Sequence, residues 1–308
     1  MDLRQALSLL KSSGSDFLED DCPTQAAALS YYTIFSLPPL LMVLLLILGA
    51  LVNPHDIRGQ LEAQIGALMG PTATEQIRTI LAQLHQPGSD NALRTVLSIG
   101  GLVLGATGAF GQLQAALNRA WEVAPDPRAG LKAFLVKRLF SFGMILSVAF
   151  LLLVSLVLSA ALSAFGGAVA RMLPDGLSAT VLQVVNLAVS FVVITALFAT
   201  IFKVLPDARV AWRDVWVGAT VTALLFVIGK FLIGFYLGRS NPGQAFGAAG
   251  SLAVLFVWVY YSSMILLFGA EFTQAWIERD GNSIAPERGA VRVVEERKYA
   301  RDGTTVSA

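Results

Sequence analysis

Long apolar stretches alternate with short polar ones along almost the whole chain. Six of them, at about 29–52, 95–117, 139–165, 179–204, 214–238 and 247–275, reach the length that crosses a bilayer, which takes about 20 mostly apolar residues. Within each stretch the apolar positions run continuously. That pattern excludes a transmembrane barrel, whose strands alternate apolar and polar residues. In hydrocarbon every backbone polar group must pair within the structure, so continuous spans are helices. The pattern predicts an all-α, polytopic membrane protein. Six transmembrane helices would occupy residues 1–280, and a disordered tail would follow over 281–308.

The connecting segments carry patterns of their own. Leu3, Leu7, Leu10, Phe17 and Leu18 recur as in a short amphipathic helix lying on the inner membrane surface, weakened midway by Gly14. The acidic run Glu19–Asp20–Asp21 precedes Cys22–Pro23, where a new helix can start with proline in its first turn. Inside the first span, Pro38–Pro39 removes helix hydrogen bonds and predicts a kink or break, a natural hinge. In the loop 53–94, two sets of apolar residues repeat at helical spacing on either side of Gly70–Pro71. They predict a helical extracytoplasmic hairpin. Span 2 holds Gly100, Gly101, Gly105, Gly108 and Gly111. Small residues let membrane helices approach closely, so these glycines serve tight packing or, alternatively, a helix that moves.

Composition sharpens this picture. Hydrophobic residues make up 55% of the 308, charged residues only 14%, and mean hydropathy is +0.66. An ordinary soluble domain carries about 25% charged residues. Net charge is +1 and says little; its distribution says more. If span 1 leaves the cytoplasm, the inner pieces hold 16 of the 22 Lys and Arg, counting Lys203 at the inner end of span 4, and the outer loops hold 5, with Lys230 inside a span. Positive residues mark the cytoplasmic side, so both termini are expected there. The mixed charge of residues 1–20 predicts no cleavable signal. Cys22 is the only cysteine, which excludes an intramolecular disulfide or a multi-cysteine metal site. His55 and His85, thirty residues apart, read as surface residues rather than metal ligands. No metal or other cofactor is expected.

Polar residues inside spans are costly, and they are functional or paired. At about 1.5 Å per residue, Lys230 lies roughly 12 Å inside the outer end of span 5. Gln183 and Asn186 of span 4 reach a similar depth, and Ser159 falls in the outer half of span 3. Together they predict an outer polar patch. The alternative is a lysine that snorkels to the interface. At the inner end, Gln25, Tyr31 and Tyr32 open span 1, Gln114, Asn118, Arg119 and Glu122 close span 2, and Glu271 closes span 6. Gln114 and Asn118 share one helix face. Glu271 is too deep to reach Lys230; Arg119, Arg138 and Arg213 are nearer its level. Either Glu271 staples helix ends through such a pair, or these residues line a cytoplasm-facing vestibule whose carboxylate binds a cation or a proton. Trp258, Tyr260 and Tyr261 sit mid-span 6 and read as core packing more readily than as pathway lining.

Several longer motifs resemble those of one known family. The run from Gln25 to Pro39 (QAAALSYYTIFSLPP) is similar to the opening of the YihY/BrkB family of bacterial inner-membrane proteins. So are Leu113–Glu122 (LQAALNRAWE), Leu205–Ala208 with Trp212–Val215, Phe246–Ser251 and Gly269–Glu271. The resemblance covers about residues 15–280 and leaves the tail outside. It implies six spans and no agreed activity. Members have carried the label ribonuclease BN, and some relatives are suspected of moving lipid or lipopolysaccharide precursors. No catalytic residue carries over.

Metal-dependent RNA cleavage needs clustered acids or histidines, or a paired acid and base. Here the cytoplasmic acids are scattered, and no basic, aromatic-studded platform for nucleic acid is present. There is also no Gly-x-x-x-x-Gly-Lys-Ser/Thr loop for ATP. The expected function is therefore translocation of a lipid or amphipathic, anionic solute across the inner membrane, with membrane lipids as partners and no nucleic acid. Glycine-rich faces permit a homo-oligomer. A membrane scaffold or envelope-assembly factor is the competing class, and a membrane-embedded enzyme ranks last.

Overall fold

The computed structural model describes residues 3–49, 74, 78, 100, 108–128, 177–240, 250–279, 281–293, 298–301 and 304–307. Helices dominate. α1 covers Leu3–Glu19 and α2 covers Cys22–Gly49. α3 runs over 108–120 and is followed by a short strand, β1, at Val123–Pro125. α4 is Leu177–Val204, β2 Ala208–Arg209, α5 Trp212–Ser240 and α6 Gly250–Glu278. Short strands close the chain: β3 Ala285–Pro286, β4 Ala290–Arg292, β5 Lys298–Arg301 and β6 Thr304–Ser307.

Among the described residues, three segments are long and apolar enough to cross a membrane: Leu187–Val204, Trp212–Ile233 and Leu252–Glu278. They correspond to the fourth, fifth and sixth expected spans. α2 covers the first, and α3 the end of the second. The third span, 139–165, lies outside the described residues. So does the 53–94 hairpin, apart from Thr74 and Arg78, which are helical.

Two expectations change. α2 runs unbroken through Pro38–Pro39, so the first span is not split there. Each proline removes a single N–H, and the remaining hydrogen bonds keep the turn helical. The tail is not wholly disordered either, and the fold is not purely α. β4 pairs antiparallel with β1, Val123 opposite Arg292, and β3 pairs with β2, Ala208 opposite Pro286. β5 and β6 form a hairpin. The chain reverses at Gly281 and Gly289, whose φ angles of 75° and 84° suit glycine. Ile284, 6% exposed, enters the main core and anchors the returning segment. One buried isoleucine and two strand pairings outweigh the charged composition around them.

α6 is the central element, packed against α1, α2 and α5, while α4 packs on α5. The α5–α6 seam is built from reciprocal pairs. A Cβ on Gly218 would overlap Thr273, and one on Gly269 would overlap Thr222. Each threonine bonds back to the glycine on its own helix: Thr222 Oγ1 to Gly218 O and Thr273 Oγ1 to Gly269 O, both 2.7 Å. The hydroxyls are thus satisfied without water, and the backbones come close. Further along, a Cβ on Gly229 would meet the Tyr261 ring at 2.6 Å. Phe198, Phe226 and Trp258 form an edge-on chain across α4, α5 and α6 with centroid spacings of 5.7 and 6.0 Å. The mid-span aromatics therefore serve packing. In α3, Gly108 does the same by receiving the Tyr32 ring.

Candidate functional site

The buried carboxylates lie at the end of the bundle where α1 crosses α6. The Asp207 carboxylate follows α4 and is 6% exposed. Asn118 Nδ2 donates to its Oδ2 at 2.9 Å, and Gln114 Nε2 to its Oδ1 at 3.3 Å. Asp207 N donates back to Asn118 Oδ1 at 2.8 Å. One helical turn separates Gln114 from Asn118, so both amides reach the same carboxylate. Glu287 of the returning segment donates its backbone N–H to Asp207 O at 2.9 Å. The node ties α3, the α4–β2 turn and the tail together.

Glu271 is the second buried carboxylate, 0% exposed and two turns before the end of α6. Cys22 Sγ donates to its Oε1 at 3.4 Å, while Oε2 has no hydrogen-bond partner among the described residues. The neighbouring carbonyl, Ala270 O, accepts from Trp121 Nε1 at 3.1 Å, which pins the end of α3 to α6. Asp20 and Asp16 of the α1 end are the acidic groups acting on Glu271. Asp20 also faces Arg119, whose Nε stands 3.9 Å from Oδ1. Burial, then the Glu271 carboxylate, pushes the Cys22 thiol well up from its ordinary range. The thiol therefore stays protonated and donates. Burial, then Glu19 and Glu122, raises Asp16 as well.

These elements meet at a sharp elbow. Asp21 joins α1 to α2 with φ 54°, a left-handed conformation that is uncommon for a residue other than glycine. Its carbonyl accepts from Thr24 and Gln25, and its Oδ1 accepts from Thr24 Oγ1 at 2.9 Å. The elbow is thereby closed as a helix start, and Asp20 and Cys22 are set on either side of it. Leu9, Phe272 and Ala275 pack α1 on α6, with Phe17 and Phe268 edge-on at 6.0 Å.

The expected inner set is only partly brought together. Gln25 accepts from Gln112 Nε2 at 2.7 Å, joining α2 to α3. Glu122 pairs with Arg292 at 2.9 Å on the surface, apart from Glu271. Tyr31, 53% exposed, leans on Phe35 and Tyr32 and makes none of these polar contacts. Glu271 takes a thiol as its partner rather than Arg119, whose charge goes to Asp20; Arg138 lies outside the described residues. Asp207, Asp20 and Cys22 are additional members. Asp207 was visible in the Leu-Pro-Asp-Ala motif, but nothing local marks it as buried.

At the opposite end, Lys230 is half-buried with Nζ 5.6 Å from the Phe231 ring centroid. Ser159 and the side chains of Gln183 and Asn186 lie outside the described residues. Among the described residues, no group of three or more His, Cys, Asp or Glu is placed to hold a metal ion.

Apolar helices around a buried polar end define a helical membrane protein. The model of the family described as virulence factor BrkB matches residues 14–292, and the chain belongs to that family. A UPF0761 membrane protein of Pseudoalteromonas atlantica is 31% identical over 256 residues, covering 82% of this chain and 81% of the relative. A UPF0761 membrane protein of Pseudomonas aeruginosa is 29% identical over 295 residues, covering 92% and 67%. One from Ralstonia nicotianae is 29% identical over 253 residues, covering 82% and 55%. No solved structure matches the chain.

Proposed function

We propose that the protein is a translocator of the bacterial inner membrane that moves a lipid or an amphipathic, anionic solute. Its termini lie in the cytoplasm, and an ion gradient or a partner protein drives it. It is not an enzyme in this reading, and it does not bind nucleic acid. The observation that carries the proposal is Glu271. A carboxyl with no exposed surface and an unpartnered oxygen is costly to keep in a packed helix. A purely structural role would be filled by a satisfied or apolar side chain. Lys230, half-buried near the other end, would attract an anionic headgroup together with Gln183, Asn186 and Ser159.

The test is movement of fluorescent phospholipid in liposomes holding the full chain. Protein-dependent movement lost in a folded Lys230→Ala or Glu271→Gln variant supports the reading. Movement no faster than in empty liposomes sinks the lipid version. A scaffold role is the second reading, and the Asn118–Asp207 node favours it, because there each buried polar group is satisfied by a neighbour. Equal rescue of envelope defects by wild type and by variants at both Lys230 and Glu271 would support the scaffold instead.

A further inference from the structure

We propose that Glu271 is a proton-binding site that shares one proton with Asp20 across the α1–α2 elbow, and that this proton is the coupling ion of the translocator. The coupling rests on the function proposed above; the proton site does not.

The argument begins with donors. An ionised carboxylate only accepts hydrogen bonds. Among the described residues, Glu271 Oε1 has a single weak donor, the Cys22 thiol at 3.4 Å, and Oε2 has none. Asp20 stands two residues before Cys22, on the elbow that brings the thiol to Glu271, and it is the acidic group that acts most strongly on that carboxyl. Two carboxylates face to face make no bond, whereas one proton between them makes a strong one and removes the repulsion.

The surrounding charges agree. α1 presents Asp16, the elbow Asp20, and α2 Cys22. α3 presents Arg119, which meets Asp20 rather than Glu271. α5 contributes Thr222 and Gly218 to this stretch of α6, and neither is charged. Among the described residues, Arg119 therefore favours charge on Asp20 and leaves the proton to Glu271. A metal ion is a poorer occupant, since among the described residues no three ligating side chains converge.

Exposure supplies a route. The Asp20 side chain is 24% exposed and Glu271 0%. In uptake the Asp20 carboxylate accepts a proton from hydronium in the solvent, which leaves as water. The O–H bond on Asp20 then breaks as one forms on Glu271, and release is the reverse. Asp21, held at φ 54° between them, is the backbone position whose change would separate the two carboxyls.

The test is infrared spectroscopy of the full chain in lipid, with wild type, Glu271→Gln and Asp20→Asn titrated across the carboxyl range. The proposal expects a protonated-carboxyl C=O band at the pH of the transport assay that is absent from Glu271→Gln and displaced in Asp20→Asn. The S–H stretch of Cys22, the only thiol in the chain, should shift in step with that band. Identical carboxyl bands in wild type and Glu271→Gln overturn the site. Asp20→Asn keeps the test open if Glu271→Gln fails to fold: an unchanged band there also overturns the shared proton. For coupling, an imposed pH gradient should speed phospholipid movement by wild type about tenfold, equal to 1.4 kcal/mol, and leave Glu271→Gln unaffected. A gradient without effect on wild type overturns the coupling. Absence of any movement overturns the coupling and the translocator, while the infrared result still stands.

Discussion

Asp207 and Glu271 are buried carboxylates at the same end of one bundle, 6% and 0% exposed. Their surroundings differ in kind. Asp207 sits at a chain turn and collects amide donors from Asn118 and Gln114, with its own N–H returned to Asn118. Glu271 sits inside a helix, where its backbone groups are already used; it meets a thiol, and the charges acting on it are the carboxylates of Asp20 and Asp16. The first has its charge solvated by protein dipoles, which is how a buried ion becomes a rivet. The second has almost nothing in place of water. Burial by itself does not separate a structural group from a functional one; the inventory of donors does.

The comparison can be broken. The largest effect is expected from Asp207→Asn, which removes the charge and sets an amide N–H₂ against one of the two donors, Asn118 Nδ2 or Gln114 Nε2. It should cost about 3 kcal/mol, the scale for spoiling hydrogen bonds to a buried charge, read as a fall in the thermal midpoint of the detergent-solubilised protein. Next comes Gly218→Ala, which drives a methyl into Thr273. Overpacking of this kind costs about 2 kcal/mol. Adding Thr273→Ala should recover most of the loss, and strictly additive losses in that double-mutant cycle would remove the seam from the account.

Glu271→Gln should change stability by less than about 1 kcal/mol, because it removes no donor to a charge and replaces a carboxyl by a neutral isostere. If it unfolds the protein as readily as Asp207→Asn, the two carboxylates are alike and the distinction fails. The smallest effect belongs to Arg292→Ala. Its ion pair with Glu122 has side chains 44% and 46% exposed, and such pairs contribute about 0.5 kcal/mol. A much larger drop in the midpoint would mean that the β1–β4 pairing depends on that contact.

Several parts of this were legible from the chain alone. The apolar runs at 179–204, 214–238 and 247–275 became α4, α5 and α6 because a span must satisfy its own backbone whatever surrounds it. The helix start at Cys22–Pro23 was legible for a similar local reason. Gln114 and Asn118 were placed on one face by spacing alone. Their common target was not, since Asp207 is 89 residues from Asn118. The tail was misread because its charged composition hides Ile284 and because strand partners at Val123 and Ala208 lie far away in sequence.

What the sequence determined by itself is the class of molecule: apolar length and charge patterning are local quantities, and in a membrane local quantities decide whether a segment spans. What only the tertiary structure decided is which polar residues are satisfied. Arg119 was a plausible partner for Glu271 by depth, yet the packing of α1 across α6 gave it Asp20 and left Glu271 to Cys22. Hydrogen bonds act over about 3 Å, and only the crossing of α1, α2, α3 and α6 determines which groups come that close.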